Sequence, residues 1–415
     1  MRKIKIVGQK ELNGEIVISG SKNAALGVIA SSLLCKDKVI LTNVPYIQDT
    51  LDMIEILKEL NVEAKFKDDI LIIDSKNIMY NKLINPLVKK FRASYYFMGV
   101  LLALFNKCEI IGPGGCNFGD RPIDIHLDFF SKMGTTIECE EHFIFVRNKP
   151  HLKEYTFKKK SVGASINALL YLSAIEEEIT LHNISIEPEV IQVIEALIAM
   201  GVSVRLINDT CIIKGVKKKK SFEIRIIPDR IEIGTYAFIG AMCAKKICLK
   251  NIEVNHLSWL IDLLNKLNIK FEISKEMLVV FKSEDIKGTK IKTEPYPGFP
   301  TDLQQPLTTL LLTSSSDSVI EETIYSSRMA HVNELVKMGA KLKVINNKIY
   351  IKGNNSLVGC KLSGKELRGG ASLIMAALIS NGESIIEGLE YIERGYTRII
   401  DNLKRLGANI DVIET

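Results

Sequence analysis

The chain has 415 residues, 47% hydrophobic and 25% charged, with a net charge of +6. That length exceeds one ordinary domain, and the balance is that of a globular protein, so disordered and fibrous classes are excluded. No uninterrupted apolar run of about 18 residues occurs, which excludes a membrane-spanning helix.

The first strand comes early: Arg2–Val7 alternates charged and apolar residues. The basic start lacks the apolar stretch of a signal peptide, so a cytoplasmic protein is expected. A turn at Gly20-Ser21-Lys22-Asn23 then opens a helix, and from there one pattern recurs. Each copy has a helix ending in Leu or Met, a Gly or Asn stop, and a pair of apolar strands. The stops are Asn61, Gly134, Gly201, Asn268, Gly339 and Gly407, at intervals of about 70 residues. Hairpin turns are expected at Asp68-Asp69, Asn208-Asp209 and Asn346-Asn347. The sixth copy runs out at Thr415 before its second strand, and Arg2–Val7 has the alternation of the missing piece. First and last strands are therefore expected to pair and close the chain. A solenoid, with atypical capping ends, is excluded.

A second marker recurs in another phase. Lys22, Arg92, Ser161, Arg230, Asp302 and Arg368 each stand in a turn that opens a helix. Helix N-termini present free N–H groups and partial positive charge. Six of them, several with Arg or Lys, form an anion-binding face where they converge. The lysine runs at 158–160 and 217–220 could suggest nucleic acid, but the second reads rather as a solvated loop or strand end. No aromatic residues interleave with them as a nucleic-acid platform needs.

Three features carry chemistry. The loop from Gly112 to Asp124 holds Cys116 among glycines and prolines, with Arg121 near enough in sequence to favour a thiolate. Cys35, Cys108, Cys211, Cys243 and Cys248 sit in apolar runs and read as inert core. None of the eight cysteines forms a C-x-x-C pair, so free thiols and no zinc site are expected. The second feature is the cation set Lys22, Arg92, Arg121, Arg328, Arg368 and Arg394, suited to a substrate bearing carboxylate and phosphate. The third is Asp302 in Phe299-Pro-Thr-Asp302: at a helix start a carboxylate is ordinarily an N-cap, but among cations it can serve as a general base. The histidines show no metal-ligand or nucleophile–base spacing, and no P-loop or G-x-G-x-x-G fingerprint is present.

The motifs Gly20-Ser-Lys-Asn-Ala-Ala25, Pro-Gly-Gly-Cys116, Arg121-Pro-Ile-Asp-Ile-His126, Ser161-Val-Gly-Ala, Pro228-Asp-Arg-Ile-Glu-Ile-Gly-Thr235, Phe299-Pro-Thr-Asp302 and Arg394-Gly-Tyr396 stand in family order. They resemble the enolpyruvyl transferase family, and within it the UDP-N-acetylglucosamine 1-carboxyvinyltransferases. The resemblance covers essentially the whole chain. It implies an α/β fold, a two-domain inside-out α/β barrel of six βαβαββ-type repeats, three per domain. The domains would be 22–229, and 1–21 with 230–415. The implied reaction moves the enolpyruvyl group of phosphoenolpyruvate to the 3'-hydroxyl of UDP-N-acetylglucosamine, releases phosphate, passes through a tetrahedral ketal and opens peptidoglycan synthesis. No cofactor or metal is implied, no nucleic acid or membrane partner, and a monomer is the expected state.

Roles carry over by position. Cys116 matches the acid that protonates the methylene carbon, and the thiol that fosfomycin alkylates. Asp302 matches the base for the sugar hydroxyl. Lys22, Arg121 and Arg394 match phosphate binders, with Arg92 and Arg368 nearby and Arg328 beside the carboxylate. Asn23 and Ile324 match sugar contacts. Arg121, Pro122, Ile123, Asp124, Ile125, Lys159, Ser161, Val162 and Gly163 match the uridine diphosphate site. Two departures stand out: Gln48, where some members carry a cation, and Asp120 beside Arg121. A shikimate-pathway enolpyruvyl transferase should lack the cysteine loop. A silent UDP-sugar-binding paralogue should have lost Cys116, Asp302, Arg121 or Arg394, and all four are present.

Overall fold

A computed structural model describes residues 2–112 and 123–414. These divide into two compact units: a continuous one over 20–112 and 123–227, and a split one that joins 2–19 to 228–414. The carried-over positions Cys116, Arg121 and Pro122, with Asp120, lie outside the described residues.

Among the described residues each unit holds three small sheets. Five of the six extend a parallel strand pair with an antiparallel pair. The sixth, Lys107–Ile110, Phe143–Arg147 and Thr135–Cys139, is antiparallel with a single parallel bridge from Leu83 to Ile110. In the continuous unit one sheet runs in the order Glu223–Arg225, Lys38–Thr42, Ile70–Asp74, Glu63–Lys67. The split unit repeats it as Lys361–Ser363, Glu383–Glu387, Arg2–Val7, Asn409–Glu414. Arg2–Val7 thus takes the place of the missing hairpin strand. It pairs antiparallel with Asn409–Glu414, from Arg2 opposite Glu414 to Val7 opposite Asn409, and with Glu383–Glu387 on its other edge. The alternation explains the register: Ile4 and Ile6 are fully buried, while Lys3 and Lys5 pair with Glu387 and Glu383 at 2.9 and 2.7 Å.

The expected closure is present, but a second accompanies it. Glu223–Arg225 lies parallel to Lys38–Thr42, so the continuous unit also closes on itself. This short strand has no periodicity of its own for a sequence reading to detect.

The helix stops behave alike. Asn61 and Asn268 adopt φ of 58° and 60°, and Gly134, Gly201, Gly339 and Gly407 adopt 89–98°, the left-handed conformation that ends a helix. The asparagines do more than tolerate it: Asn61 Nδ2 donates to Asn77 O at 2.9 Å and Asn268 Nδ2 to Asp285 O at 3.1 Å. At the hairpins Asp68, Asp69, Asn208 and Asn346 all have positive φ.

The helices fall into two kinds. Those opened by the recurrent turns are buried along most or all of their length. All fourteen residues of Arg230–Cys243 are buried, as are all eight of Gln304–Leu311. In the split unit these two and Leu367–Ile379 pack on one another; in the continuous unit Tyr96–Phe105 packs on Val162–Leu172. A helix with no exposed polar face belongs inside. The other helices, such as Gln48–Glu59 and Pro188–Ala199, are amphipathic. Each unit has its own apolar core. This is the α/β barrel with helices inside and sheets outside.

Candidate active site

Three helix openings of the split unit meet around one carboxylate. The Phe299-Pro300 dipeptide leads into a 3-10 turn, Thr301–Leu303, that continues as the helix Gln304–Leu311. Asp302 lies in that turn but does not cap it, since the cap position is Pro300. Its carboxylate faces two arginines instead. Arg328 Nη1 donates to Oδ1 at 2.8 Å, and Arg368 donates to Oδ2 from Nη2 at 3.1 Å and Nε at 3.3 Å. Both arginines are buried, at 4% and 1% exposure, whereas the Asp302 side chain keeps 28%. Burial works to raise the Asp302 pKa, but Arg368 and Arg328 outweigh it and hold the carboxyl well below the usual carboxylate range.

Neighbours fix the arginines. Arg328 Nη1 also donates to Thr301 O at 3.2 Å and approaches Thr301 Oγ1 at 3.4 Å. Its Nε lies 3.6 Å from Glu366 Oε2. Glu366 caps the Leu367–Ile379 helix, its Oε1 accepting from Gly369 N at 3.0 Å, and also takes Gln305 Nε2 at 2.6 Å. The Arg368 guanidinium stacks 5.0 Å from the Tyr396 ring, whose hydroxyl meets Thr235 Oγ1 at 2.9 Å. Asp229, the N-cap of the Arg230–Cys243 helix, acts electrostatically on Arg368 as well. Arg394 is half-buried in the turn that follows Leu389–Ile392. Ile324 is exposed, and its N–H donates to Glu322 Oε1 at 2.8 Å.

The continuous unit carries Lys22 and Arg92. Ser21 caps the first helix and places Lys22 at its first position. Lys22 Nζ meets Asp49 Oδ2 at 2.6 Å, and Asp49 is only 2% exposed. This counter-ion was not legible in advance, because an acidic first-turn residue such as Asp49 reads as helix-dipole compensation. Asn23 is half-buried beside Lys22. Gln48 donates to Asp52 Oδ1 at 2.7 Å. Arg92 opens a 3-10 turn rather than an α-helix, and its guanidinium lies 5.7 Å from the Tyr95 ring.

The uridine-type motif falls on two helix starts. Ile123 is buried, Asp124 is exposed at the first position of Asp124–Lys132, and Ile125 is half-buried. Ser161 caps Val162–Leu172 through Ala164 N at 3.3 Å, with Val162 and Gly163 half-buried and Lys159 exposed. Gly163 packs closely on His126: a Cβ there would stand 3.1 Å from His126 Cε1, so the ring would have to shift by a few tenths of an ångström. His126 is buried against Asn167, whose Nδ2 lies 3.1 Å from His126 Nδ1 and whose Oδ1 accepts from Gly99 N at 2.8 Å. Burial, helped by Arg92, pushes the His126 pKa down to about 3 and keeps the ring neutral.

Among the thiols, Cys35, Cys108, Cys211, Cys243 and Cys248 are buried as expected, and burial pushes Cys211 and Cys243 up to about 12. The lysine run at 217–220 corrects its expectation in part. Lys219 is buried, donates to Val216 O at 3.0 Å and is pushed down to about 8 by burial. Among the described residues no cluster of three His, Cys, Asp or Glu side chains is arranged for a metal ion, and no helix is long and apolar enough to cross a membrane.

Residues 6–403 match the model of the EPSP synthase (3-phosphoshikimate 1-carboxyvinyltransferase) family. The chain is 38% identical to UDP-N-acetylglucosamine 1-carboxyvinyltransferase 2 of Streptococcus mutans, with full coverage of both. It is 40% identical to UDP-N-acetylglucosamine 1-carboxyvinyltransferase of Prochlorococcus marinus, over 98% of this chain and 90% of that one. Among solved structures, the enolpyruvyl transferase NikO from Streptomyces tendae superposes with a TM-score of 0.92 at 20% identity, covering 100% of this chain and 99% of that one. EPSP synthase from Acinetobacter baumannii superposes with 0.75 at 15%, with full coverage of both. These last two likenesses concern the fold. With full-length relatives well above 30% identity, this chain belongs to the enolpyruvyl transferase family, on its UDP-N-acetylglucosamine 1-carboxyvinyltransferase branch.

Proposed function

We propose that the protein transfers the enolpyruvyl group of phosphoenolpyruvate to the 3'-hydroxyl of UDP-N-acetylglucosamine, with release of phosphate, as the committed step into peptidoglycan. The observation that carries this reading is the Asp302–Arg328–Arg368 cluster: a carboxylate held ionised by two guanidiniums at 2.8 and 3.1 Å. Its residues occupy the family's base and anion-binding positions. Held by both guanidiniums, this carboxylate is too acidic to be an effective base. A substrate carrying carboxylate and phosphate competes for the same arginines. As they turn to it, Asp302 loses its counter-ions, its pKa rises, and it becomes able to take the sugar hydroxyl's proton. Binding of the donor would thereby switch on the base.

In this scheme Cys116 supplies the proton to the methylene carbon and is the thiol that fosfomycin alkylates. Lys22, Arg121 and Arg394 hold the phosphate, with Arg92 nearby. Asn23 and Ile324 contact the sugar. Pro122, Ile123, Asp124 and Ile125, with Lys159, Ser161, Val162 and Gly163, take the uridine diphosphate. The intermediate gains cationic character at carbon, so an acid, a base and fixed charges around it are the appropriate groups. In this reading residues 22–229, and 1–21 with 230–415, serve as the two functional domains. A cytoplasmic monomer is part of the same reading.

Phosphate release from phosphoenolpyruvate tests it, with UDP-N-acetylglucosamine or shikimate 3-phosphate as acceptor. Release is expected only with the UDP-sugar and is expected to stop on fosfomycin treatment. Release with shikimate 3-phosphate would overturn the acceptor. Binding of the UDP-sugar with no release would favour the silent paralogue.

A further inference from the structure

Glu322 follows the strand Ser318–Glu321 and is fully buried. Its carboxylate takes four neutral donors. Oε1 accepts from Thr293 Oγ1 at 2.8 Å, Ile324 N at 2.8 Å and Tyr325 N at 2.9 Å. Oε2 accepts from Thr301 Oγ1 at 2.8 Å. Two segments are thereby fastened to one group: the turn that carries Asp302, and the loop that runs from Ile324 to Arg328. Thr293 adds a third tie, its Oγ1 accepting from Thr323 N at 2.9 Å.

The direction of these bonds matters. A carboxylate only accepts, so the single proton of the Thr301 hydroxyl points at Glu322. A lone pair of Thr301 Oγ1 is then left facing Arg328 Nη1 at 3.4 Å, and the same Nη1 donates to Asp302 Oδ1 at 2.8 Å. Glu322, Thr301, Arg328 and Asp302 form one chain whose polarity is set at its buried end.

We infer that Glu322 is a positioning residue for the Asp302–Arg328 pair, acting through the Thr301 hydroxyl, and that it anchors the Ile324 backbone to the same point. The inference rests on the reading of Asp302 as the base. Glu322→Gln keeps the shape and one acceptor oxygen but places a donor at Oε2. The Thr301 hydroxyl must then turn, aim its proton at Arg328 and loosen the pair.

The test is UDP-N-acetylglucosamine-dependent phosphate release by wild type, Glu322→Gln and Thr301→Val, each with a thermal melt and a pH profile of kcat. For Glu322→Gln, kcat is expected to fall at least about tenfold. The acid limb of kcat, which reports the enzyme–substrate complex in which Asp302 takes the proton, is expected to move up by about one pH unit as Asp302 loses part of its counter-charge. Thr301→Val breaks the chain without touching a charge and should move the limb the same way. A purely structural role would lower the melting temperature and leave the acid limb in place, which would overturn the inference. If Glu322→Gln does not fold, Thr301→Val decides alone: an unmoved limb overturns the proposal and a raised one supports it. A wild type that releases no phosphate would overturn the reading of the site and this inference with it; an active wild type with unmoved variants would overturn the inference only.

Discussion

Asp302 puts one negative charge against two buried guanidiniums, and its removal leaves them facing each other. Asp302→Asn is expected to abolish turnover and to cost about 3 kcal/mol of stability at pH 7. Because the folded pKa lies below the ordinary value, this contribution is complete above about pH 4 and is lost as pH falls below it. Urea melts at pH 7 and pH 3 should show the gap between wild type and variant shrinking on acidification. Glu232 behaves in the opposite sense. It is buried, its Oε2 accepts from Ser19 N at 3.0 Å, and its Oε1 has no hydrogen-bond partner among the described residues. Burial pushes its pKa up to about 7. The folded state then holds a proton that the unfolded chain releases, so stability declines between about pH 4.5 and pH 7. Glu232→Gln should gain on the order of 2 kcal/mol relative to wild type between pH 5 and pH 8. Neither residue's environment could be read in advance. Asp302 draws its partners from positions 328 and 368, in separate repeats, and no local spacing reports such a meeting. What could be read was its neighbourhood of helix openings and cations.

The elements most open to a sequence reading were those with local causes. Left-handed stops, caps such as Ser21 and Ser161, and the doubled aspartate at 68–69 follow from backbone sterics and short-range hydrogen bonding. The stops still held something hidden. Asn268 takes a glycine's place in the repeat, but its amide reaches Asp285 O, a tie that depends on how the following loop folds back. Asn268→Gly trades that bond for an easier backbone and should change stability by less than about 0.5 kcal/mol. Asn268→Ala loses both and should cost about 2 kcal/mol. Equal losses in denaturant melts of the two variants would show that the side-chain tie, not the backbone, dominates.

At the scale of the whole molecule, the period of about 70 residues disclosed the closure of the chain by Arg2–Val7, because a missing strand leaves a gap that can be counted. The closure by Glu223–Arg225 left no such gap, the strand being three residues long with two of them charged. The continuous unit has its own core and its own closing strand. A fragment of residues 20–227 is therefore expected to unfold cooperatively by itself, whereas 228–415 alone, lacking Arg2–Val7 and Leu12–Val17, is not. Circular dichroism melts of the two fragments check this: a cooperative transition in the second would mean that its sheets do without those strands.

The order of synthesis gives Arg2–Val7 a further burden. It leaves the ribosome long before the strands on either side of it, Glu383–Glu387 and Asn409–Glu414, which follow it in the sequence by several hundred residues. At roughly 5–20 residues per second, the nascent strand waits on the order of half a minute with both edges open. Its alternating lysines, which meet Glu383 and Glu387 in the finished sheet, are charges of the kind that keep an unpaired edge from joining a neighbouring nascent chain. The same two side chains serve a guardian's task before folding and a partner's after it.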